Sequence, residues 1–269
     1  MKKIKSLLFI TICIVSLVLT SCAKNKIDDK KIIVGASANP HAKILEEARS
    51  YIESKGYELE IKIYDDYVVP NIALEDGELD ANFFQHKPYL DNFNKQNNTH
   101  LVSVLQVHYE PLGIYAGKAS SLDNLQSGAK VAIPNDATNR ARALLLLAAK
   151  GLISVNESKG LEIDINDITS NPLNLEIIPF EAASIPAQLS EVEIAVINGN
   201  YAESAKIAHD KLLAQEDKES VAATTYGNII AVKEGNEEAE AIKVLIEALS
   251  QDSIRQYIND NYQGTVIPF

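Results

Sequence analysis

The sequence predicts an α/β fold made of two lobes with a cleft between them. Short aliphatic runs alternate with amphipathic segments along the chain, which is typical of mostly parallel sheets covered by helices. The alternation occurs in two successive sets of roughly 90 to 110 residues, and a last strand–helix block is able to rejoin the first set. We therefore expect lobe 1 to comprise residues 31–116 and 224–269, and lobe 2 to comprise residues 117–223.

The first set begins with the aliphatic run Lys31–Ala36, which predicts a buried strand. A helix follows Asn39-Pro40, because apolar residues then recur on one helical face until Gly56 ends the pattern. Further elements are predicted from alternating or short apolar runs: strands at Leu59–Ile63, Asp80–Phe84 and Leu101–Val107, with a helix that opens at Lys87-Pro88 before the last of them.

The second set and the final block follow the same rules. Aliphatic runs predict strands at Lys130–Ile133, Leu175–Pro179 and Glu193–Ile197, and a leucine-rich helix extends through Ala141–Ala149. The final block consists of a strand at Asn228–Val232 and helices at Glu237–Leu249 and Ser253–Asp260.

The N-terminal segment has the layout of an export signal. Lysines precede an apolar run of about 14 residues, which is too short for a comfortable membrane span. The run ends in LTSC, which resembles the bacterial lipobox, where small residues precede a cysteine that receives a diacylglycerol before cleavage. We expect residues 1–21 to be removed, Cys22 to carry the lipid and residues 22–30 to form a polar tether. The alternative is an ordinary signal peptide with an incidental cysteine.

The composition argues against several classes of function. The formal net charge is −12, whereas binding of nucleic acids or anionic membranes requires basic patches. Cys13 lies in the expected signal and Cys22 is expected to be acylated, so no thiol would remain for disulfides, metals or catalysis. The sequence also lacks GxSxG, HExxH and CxxC motifs and a glycine-rich phosphate loop. We expect a protein that is not an enzyme and that needs no metal or cofactor.

The segment PNDATNRAR, Pro134–Arg142, predicts a site for a carboxylate. It follows a strand and precedes the leucine-rich helix, with Thr138 or Asn139 as the expected N-cap and Arg142 in or near the first turn. Free N–H groups at a helix start attract anions, and an arginine can hold a carboxylate through two parallel hydrogen bonds. The alternative is a capped helix with a surface arginine. Arg140 lies on a different face and is expected to be solvated.

Two asparagines at strand ends are candidates for binding the amino end of the same ligand. Asn198 follows a strand in VINGNYA, and Asn228 starts one in YGNIIAV. Ligands of α/β proteins bind in the crevice outside the strand ends. Asparagine at a strand end is also a common turn residue, so neither position is specific by itself.

Aromatic residues are concentrated in NFFQHKPYLDNF, Asn82–Phe93, which holds three of the six phenylalanines. Phe84, His86 and Tyr89 flank a predicted strand–helix junction, and Tyr67 lies in the preceding connection DDYVVPN. A histidine without a second ligand motif is more often a hydrogen-bonding residue than a metal ligand. Aromatic faces with a polar edge suit a flexible apolar chain, notably a thioether, whose sulfur gains about 0.3–1.5 kcal/mol from ring contact. We expect these four residues to form a side-chain pocket.

Seven motifs stand in a characteristic order: PHAKILE, DYVVPN, DANFFQHKPYLD, EPLGIYAGK, VAIPNDATNRARALLLL, VINGNYA and YGNIIAV. Their order and spacing resemble the methionine-binding lipoproteins of ABC importers, the NlpA or MetQ family, and the resemblance extends from the lipobox to the C-terminus. It implies a type II periplasmic-binding-protein fold, in which two α/β lobes joined by a hinge close over an amino acid.

The resemblance also implies roles for single residues. The family's side-chain pocket falls on Tyr67, Phe84, His86 and Tyr89, its carboxylate site on Arg142 with Asn139, and its polar contacts to the amino acid on Asn198 and Asn228. Two positions depart from the pattern, because the family often has Pro where Ala137 stands and Arg where Gln188 stands. The first departure is expected only to loosen a turn, and the second is a candidate for a change in lobe contacts.

The leading hypothesis is a lipid-anchored, monomeric receptor that captures L-methionine and delivers it to a membrane permease with a cytoplasmic ATPase. Its sulfoxide, D-methionine and a methionine-containing dipeptide are further candidate ligands. A receptor for another small amino acid is an alternative, because one apolar contact discriminates by only about 1–3 kcal/mol. A surface adhesin with the same fold is another, although it would leave the polar cleft residues unexplained.

Overall fold

Residues 30–218 and 224–269 are described by a computed structural model, in which they form two main β-sheets with flanking helices. Each sheet mixes parallel and antiparallel strands, and each packs against helices through its own core, so the architecture is the predicted α/β type. Within these two ranges no helix has the length and apolarity that crossing a bilayer requires.

The first sheet has six strands: β1 (Lys31–Ala36), β2 (Glu58–Ile63), β3 (Ala81–His86), β4 (Leu101–Tyr109), β12 (Gly227–Lys233) and β13 (Ile267–Pro268). Their order is β13-β4-β12-β3-β1-β2, with β1 parallel to β2 and β3, and β12 antiparallel to β3 and β4. Its helices are α1 (His41–Ser54), α2 (Val69–Glu75), α3 (Lys87–Asn97), α7 (Glu240–Leu249) and α8 (Asp252–Tyr262).

The predicted amphipathic face of α1 is the face that packs on this sheet. Ile44, Leu45 and Ile52 are fully buried in one cluster with residues of β1, β3 and α7. The helix ends just before Gly56, which has a φ of 87°, a left-handed conformation that glycine adopts without strain.

The second sheet has five strands: β5 (Gly113–Ala116), β6 (Lys130–Pro134), β9 (Glu176–Phe180), β10 (Ile194–Ile197) and β11 (Leu212–Gln215). Their order is β11-β5-β10-β6-β9, and the parallel pairs are β10 with β6 and β6 with β9. Its helices are α4 (Ala137–Ala149), α5 (Ile185–Gln188) and α6 (Gly199–Ser204), and β7 (Ser154–Val155) pairs separately with β8 (Ile168–Ser170).

The expected boundary between the lobes after Ala116 is wrong. Gly113–Ala116 forms β5, which is hydrogen-bonded antiparallel to β10 and β11 in the second sheet. The chain therefore passes from the first sheet to the second between Tyr109 and Gly113. It returns between Gln215 and Gly227. We call the first sheet with its helices lobe 1 and the second sheet with its helices lobe 2.

Candidate functional site

A small cavity lies where side chains from the two lobes meet. All eight residues singled out from the sequence line it: Tyr67, Phe84, His86, Tyr89, Asn139, Arg142, Asn198 and Asn228. Sequence reasoning missed four others that also line it: Gln85, Glu110, Gly199 and Asn200.

Phe84 occupies a β-bulge in β3. Ile229 of β12 pairs with Gln85 and the next residue, Ile230, pairs with Phe83, so Phe84 is an extra residue between two successive pairs. A bulge bends its strand and changes the direction of nearby side chains. The bulged residue is 3% exposed and its ring lies among those of the cavity.

Tyr67 is the centre of the aromatic cluster. Its ring centroid lies 5.7 Å from that of Phe84, 5.6 Å from that of Tyr89 and 4.9 Å from that of Tyr201. The Tyr67 hydroxyl donates across the cleft to Oδ1 of Asn200 at 2.5 Å, and the Tyr89 hydroxyl donates to the Tyr67 carbonyl at 3.0 Å. One end of the cavity is thus formed by rings that are themselves fixed by hydrogen bonds.

His86 is the N-cap of α3. Its Nδ1 accepts the backbone N–H of Tyr89 at 3.2 Å, so the proton of the neutral ring sits on Nε2, which donates to Oδ1 of Asn139 at 3.1 Å. Burial, reinforced by the positive charge of Arg142, lowers the pKa of His86 to about 3. The side chain is therefore a neutral hydrogen-bonding group between the two lobes.

The N-cap of α4 is Asp136, so the expectation of Thr138 or Asn139 in this role is wrong. Oδ1 of Asp136 accepts the backbone N–H of Asn139 at 2.9 Å, and a carboxylate at a helix start also interacts favourably with the helix dipole. The Asn139 amide donates to the same carboxylate at 3.1 Å, which leaves its Oδ1 to accept from His86 and, at 2.9 Å, from Asn198. The helix start that was expected to bind a ligand carboxylate is thus occupied by Asp136.

Arg142 lies one turn further along α4 and is 3% exposed. Its Nε and Nη2 donate to the two carboxylate oxygens of Glu216 at 2.7 and 2.6 Å, and Nη2 also donates to the Glu110 carbonyl at 2.8 Å. The guanidinium stacks on the ring of Tyr226, 4.4 Å from its centroid. Arg140 is not fully solvated as expected, because it pairs with Asp164 at 2.8 Å.

Glu216 completes the surroundings of Arg142 and was not found from the sequence. It also accepts the hydroxyl of Tyr109 at 2.6 Å and the backbone N–H of Leu112 at 2.9 Å. Burial alone would raise the pKa of Glu216, but the charge of Arg142 and these hydrogen bonds hold that pKa below its ordinary value. The pair adds no net charge to the cavity.

A second carboxyl group, that of Glu110, lines the cavity and is backed by two histidines. Its Oε1 lies 2.8 Å from Nε2 of His108 and 3.3 Å from Nε2 of His41. His41 also contacts Oδ1 of Asn228 at 3.0 Å and the hydroxyl of Ser37 at 2.7 Å. Burial lowers the pKa of His41 to about 4 and that of His108 to about 3, so both rings are neutral near pH 7.

His41, His108 and Glu110 are the residues whose donor atoms could surround a metal ion, because these atoms lie within 4.8 Å of one another. The 2.8 Å separation is that of a hydrogen bond from Nε2 of His108 to the carboxyl group, whereas Nε2 of His41 is hydrogen-bonded to Oδ1 of Asn228. Burial raises the pKa of Glu110 and the His41 interaction opposes that shift. The arrangement fits a buried carboxyl group that accepts from one neutral histidine and lies beside a second, and that can also accept from a ligand.

Two buried amide atoms beside the cavity have no hydrogen-bond partner among the described residues. They are Oδ1 of Asn198, an acceptor, and Nδ2 of Asn200, a donor. Buried polar groups are nearly always paired in folded proteins, so such atoms indicate where a ligand bonds. Asn200 and Glu110 both lie in motifs already noted in the sequence: Asn200 follows Asn198 by two residues in NGNYA, and Glu110 is the first residue of EPLGIYAGK.

Comparison with known proteins extends these observations. A family model described as NlpA lipoprotein matches residues 32–269. The D-methionine-binding lipoprotein MetQ of Escherichia coli is 37% identical over 270 residues, which cover 98% of this chain and 98% of that protein.

Solved structures of related proteins resemble this chain along most of its length. A chain described as a lipoprotein from Ruminococcus gnavus is 52% identical, with a TM-score of 0.88 over 89% of this chain and 99% of that one. A nutrient-binding protein of Burkholderia cenocepacia, solved bound to methionine, is 36% identical, with a TM-score of 0.83 over 88% of this chain and 99% of that one. The chain belongs to the NlpA lipoprotein family.

Proposed function

We propose that this protein is the lipid-anchored substrate-binding protein of an ABC importer, and that it captures L-methionine and delivers it to the permease and its ATPase. The observation that carries the proposal is a cavity with aromatic rings at one end and paired amides and charges at the other. The proteins named above as methionine-binding or methionine-bound support it, because they share family and fold with this chain.

The aromatic end would receive the thioether chain. Tyr67, Phe84 and Tyr89 present ring faces, and His86 closes this end as a neutral group. Sulfur–ring contacts contribute about 0.3–1.5 kcal/mol each, and the rest of the affinity at this end comes from burial of the chain's methylene groups, about 0.8 kcal/mol per group.

The polar end would receive the zwitterionic part of the amino acid. Arg142 is balanced by Glu216, so Glu110 is the carboxyl group without a cationic partner and would accept from the ammonium group, with Oδ1 of Asn198 and Oδ1 of Asn228 as further partners. The carboxylate would bond to Nδ2 of Asn200 and to Nη1 of Arg142, since Nε and Nη2 of Arg142 already have partners. Asn139 acts here mainly by holding Asn198 and His86.

The remaining parts of the proposal concern the whole chain. Lobes 1 and 2 close over the ligand by rotation about the two crossings, which are the two places where the chain passes from one sheet to the other. Cys22, which lies outside the described residues, carries the lipid that anchors the protein to the membrane. The protein works as a monomer and catalyses no reaction, because its role as a receptor requires only binding and release.

Mass spectrometry of the purified protein under native conditions tests the ligand. We expect a mass increment equal to methionine that disappears after unfolding, dialysis and refolding, and that returns when L-methionine is added. Leucine, methionine sulfoxide, D-methionine and methionine dipeptides, added to the same refolded sample, test the alternatives. An increment that matches another compound, or no binding of methionine at millimolar concentration, would overturn the proposal.

A further inference from the structure

Three buried amide side chains form a closed cluster behind the aromatic end of the cavity. Asn71 and Asn82 are 0% exposed and Gln85 is 3% exposed. Asn71 lies in α2, and the other two lie in β3 on either side of the bulge. We call these three residues the amide cluster.

The hydrogen bonds of the amide cluster are reciprocal. Nδ2 of Asn71 donates to Gln85 at 2.9 Å, and Nε2 of Gln85 donates back to Oδ1 of Asn71 at 2.7 Å. Gln85 also donates to Oδ1 of Asn82 at 2.9 Å, and Asn82 donates to Asn71 at 2.8 Å and to the Pro70 carbonyl at 3.2 Å. Polar networks that are fully paired in the protein interior hold their members in one arrangement.

The amide cluster depends on the bulge at Phe84. In a regular strand Asn82 and Gln85 would point to opposite faces, because side chains alternate along the strand. The extra residue at Phe84 changes this alternation, and both amides then reach Asn71. Removal of the bulge would separate the cluster, and loss of the cluster would remove the polar contacts that favour the bulge.

The amide cluster also connects the two sides of the aromatic end. Asn71 belongs to the first turn of α2, which starts directly after Tyr67 and Val68. Gln85 and Asn82 flank Phe84 in β3. The cluster therefore links the segment that carries Tyr67 to the strand that carries Phe84, whose ring centroids lie 5.7 Å apart.

We infer that the amide cluster of Asn71, Asn82 and Gln85 sets the position of Phe84 relative to Tyr67 and so determines which ligand side chains the cavity accepts. Asn71 and Asn82 are positioning residues that act through the two rings, and Gln85, which also lines the cavity, holds both of them. The inference rests on the proposed function, because it concerns the end of the cavity that would receive the methionine chain.

Two variants separate positioning from simple stabilisation. Gln85→Met keeps the shape of the side chain but leaves Asn71 and Asn82 with unpaired groups, which destabilises the fold. The double variant Asn71→Leu with Gln85→Met replaces both amides of the reciprocal pair and recovers part of the lost stability. Gln96→Met is the matched control, because Gln96 is an exposed glutamine in α3 of the same lobe.

Affinities for L-methionine and L-alanine are measured by displacement of labelled methionine, and melting temperatures are recorded in parallel. We expect both cluster variants to bind methionine about tenfold more weakly, while alanine, which does not reach the rings, changes by less than about twofold. The double variant should melt closer to the parent than the single variant does, yet keep the weakened methionine binding. Gln96→Met should match the parent in every measurement.

Equal weakening of methionine and alanine in the double variant would overturn the inference, as would parental methionine affinity in that variant. Either result would leave the proposed function in place. A parent protein that binds no methionine would instead refute the proposed function, and the two failures are therefore distinguishable within one experiment.

Discussion

The guanidinium of Arg142 has two roles in the proposed site: it balances Glu216 and offers Nη1 to the ligand carboxylate. Arg142→Ala would leave Glu216 buried without a partner, and loss of one member of a buried ion pair costs about 3–5 kcal/mol. We expect the variant to bind methionine and alanine equally poorly and to unfold at lower denaturant concentration. Arg142→Lys should restore the ligand affinity and the stability only in part, because an ammonium group supplies the positive charge but cannot make the two parallel hydrogen bonds.

Calorimetry and urea unfolding measure these two effects, and Arg140→Ala is the control. Arg140 lies in the same helix but pairs with Asp164 and does not line the cavity. Methionine affinity of Arg142→Ala equal to that of the parent would show that the carboxylate binds elsewhere.

Phe84 should contribute to binding of the side chain only. Phe84→Ala is expected to weaken methionine by about 1–3 kcal/mol and alanine far less, because alanine does not reach the ring. Norleucine, compared with methionine by calorimetry, reports what the sulfur adds beyond shape. Phe93→Ala is the matched control, since Phe93 is similarly buried at 4% exposure in the same cluster but does not line the cavity. Equal losses for methionine and alanine in Phe84→Ala would contradict the assignment.

Three buried histidines make stability depend on pH. Burial lowers the pKa of His41 to about 4 and those of His86 and His108 to about 3, from 6.5. The unfolded chain therefore binds more protons between about pH 4 and 6.5, so the free energy of unfolding decreases as the pH falls through this window, by up to about 1.4 kcal/mol per pH unit for each histidine. Burial raises the pKa of Glu110, so at this carboxyl group the folded protein binds up to one proton more than the unfolded chain, and this reduces the dependence of stability on pH.

Urea unfolding at several pH values between 7 and about 4.5 measures how steeply the free energy of unfolding changes with pH. Proton linkage converts this slope into the number of protons that the chain takes up on unfolding. His108→Gln, which keeps a donor for Glu110, should reduce the slope by about one proton. His100→Gln is the control because His100 is a surface residue with a side chain 57% exposed. An unchanged slope in His108→Gln would contradict the neutral state of that ring.

At the level of single elements, Asp136 both caps the N-terminus of α4 and holds the side chain of Asn139, which lines the cavity. Asp136→Ala removes the cap, and loss of such a cap costs about 0.5–2 kcal/mol. It also releases the amide of Asn139, so affinities for methionine and alanine should fall together. Asp136→Asn, which keeps an acceptor at the cap, should preserve most of both stability and affinity, as measured by unfolding and calorimetry. Normal affinity in Asp136→Ala would show that Asn139 does not depend on the cap.

Elements with strong periodicity were predictable, and those defined by pairing were not. The aliphatic runs of β1, β6 and β10 and the apolar face of α1 follow directly from residue spacing. β5 was missed as a separate strand because its four residues have no pattern of their own, and its place in the second sheet depends on β10 and β11. The bulge at Phe84 was likewise invisible, since it exists only in the register of β3 against β12.

The eight predicted residues, which line one cavity, are marked in the sequence by family motifs and strand-end positions, whereas their partners come from distant parts of the chain. Glu216 meets Arg142 across 74 positions in sequence, and His41 meets Asn228 across 187. No local pattern records such contacts. This is why the sequence indicated a free arginine where the fold has a balanced ion pair.

For the whole molecule, the two crossings and the cross-cleft bond from Tyr67 to Asn200 predict closure on ligand binding. Adding L-methionine should reduce the radius of gyration in solution scattering and stabilise the fold by about 2.7 kcal/mol at a hundredfold excess over Kd. Tyr67→Phe, which loses only the hydroxyl, should compact less at equal saturation. Identical scattering with and without methionine would contradict closure.

The position of β1 in lobe 1 assigns different mechanical roles to the two lobes. The proposed anchor at Cys22 is followed by β1, so a lipid there would hold lobe 1 near the bilayer and leave lobe 2 as the part that swings. A receptor confined to a membrane searches for its permease in two dimensions, and tethering raises the local concentration of one partner near the other to about the millimolar range for short linkers. With that anchor, delivery of the cargo would not require tight docking, and a weak, brief encounter with the permease would be sufficient.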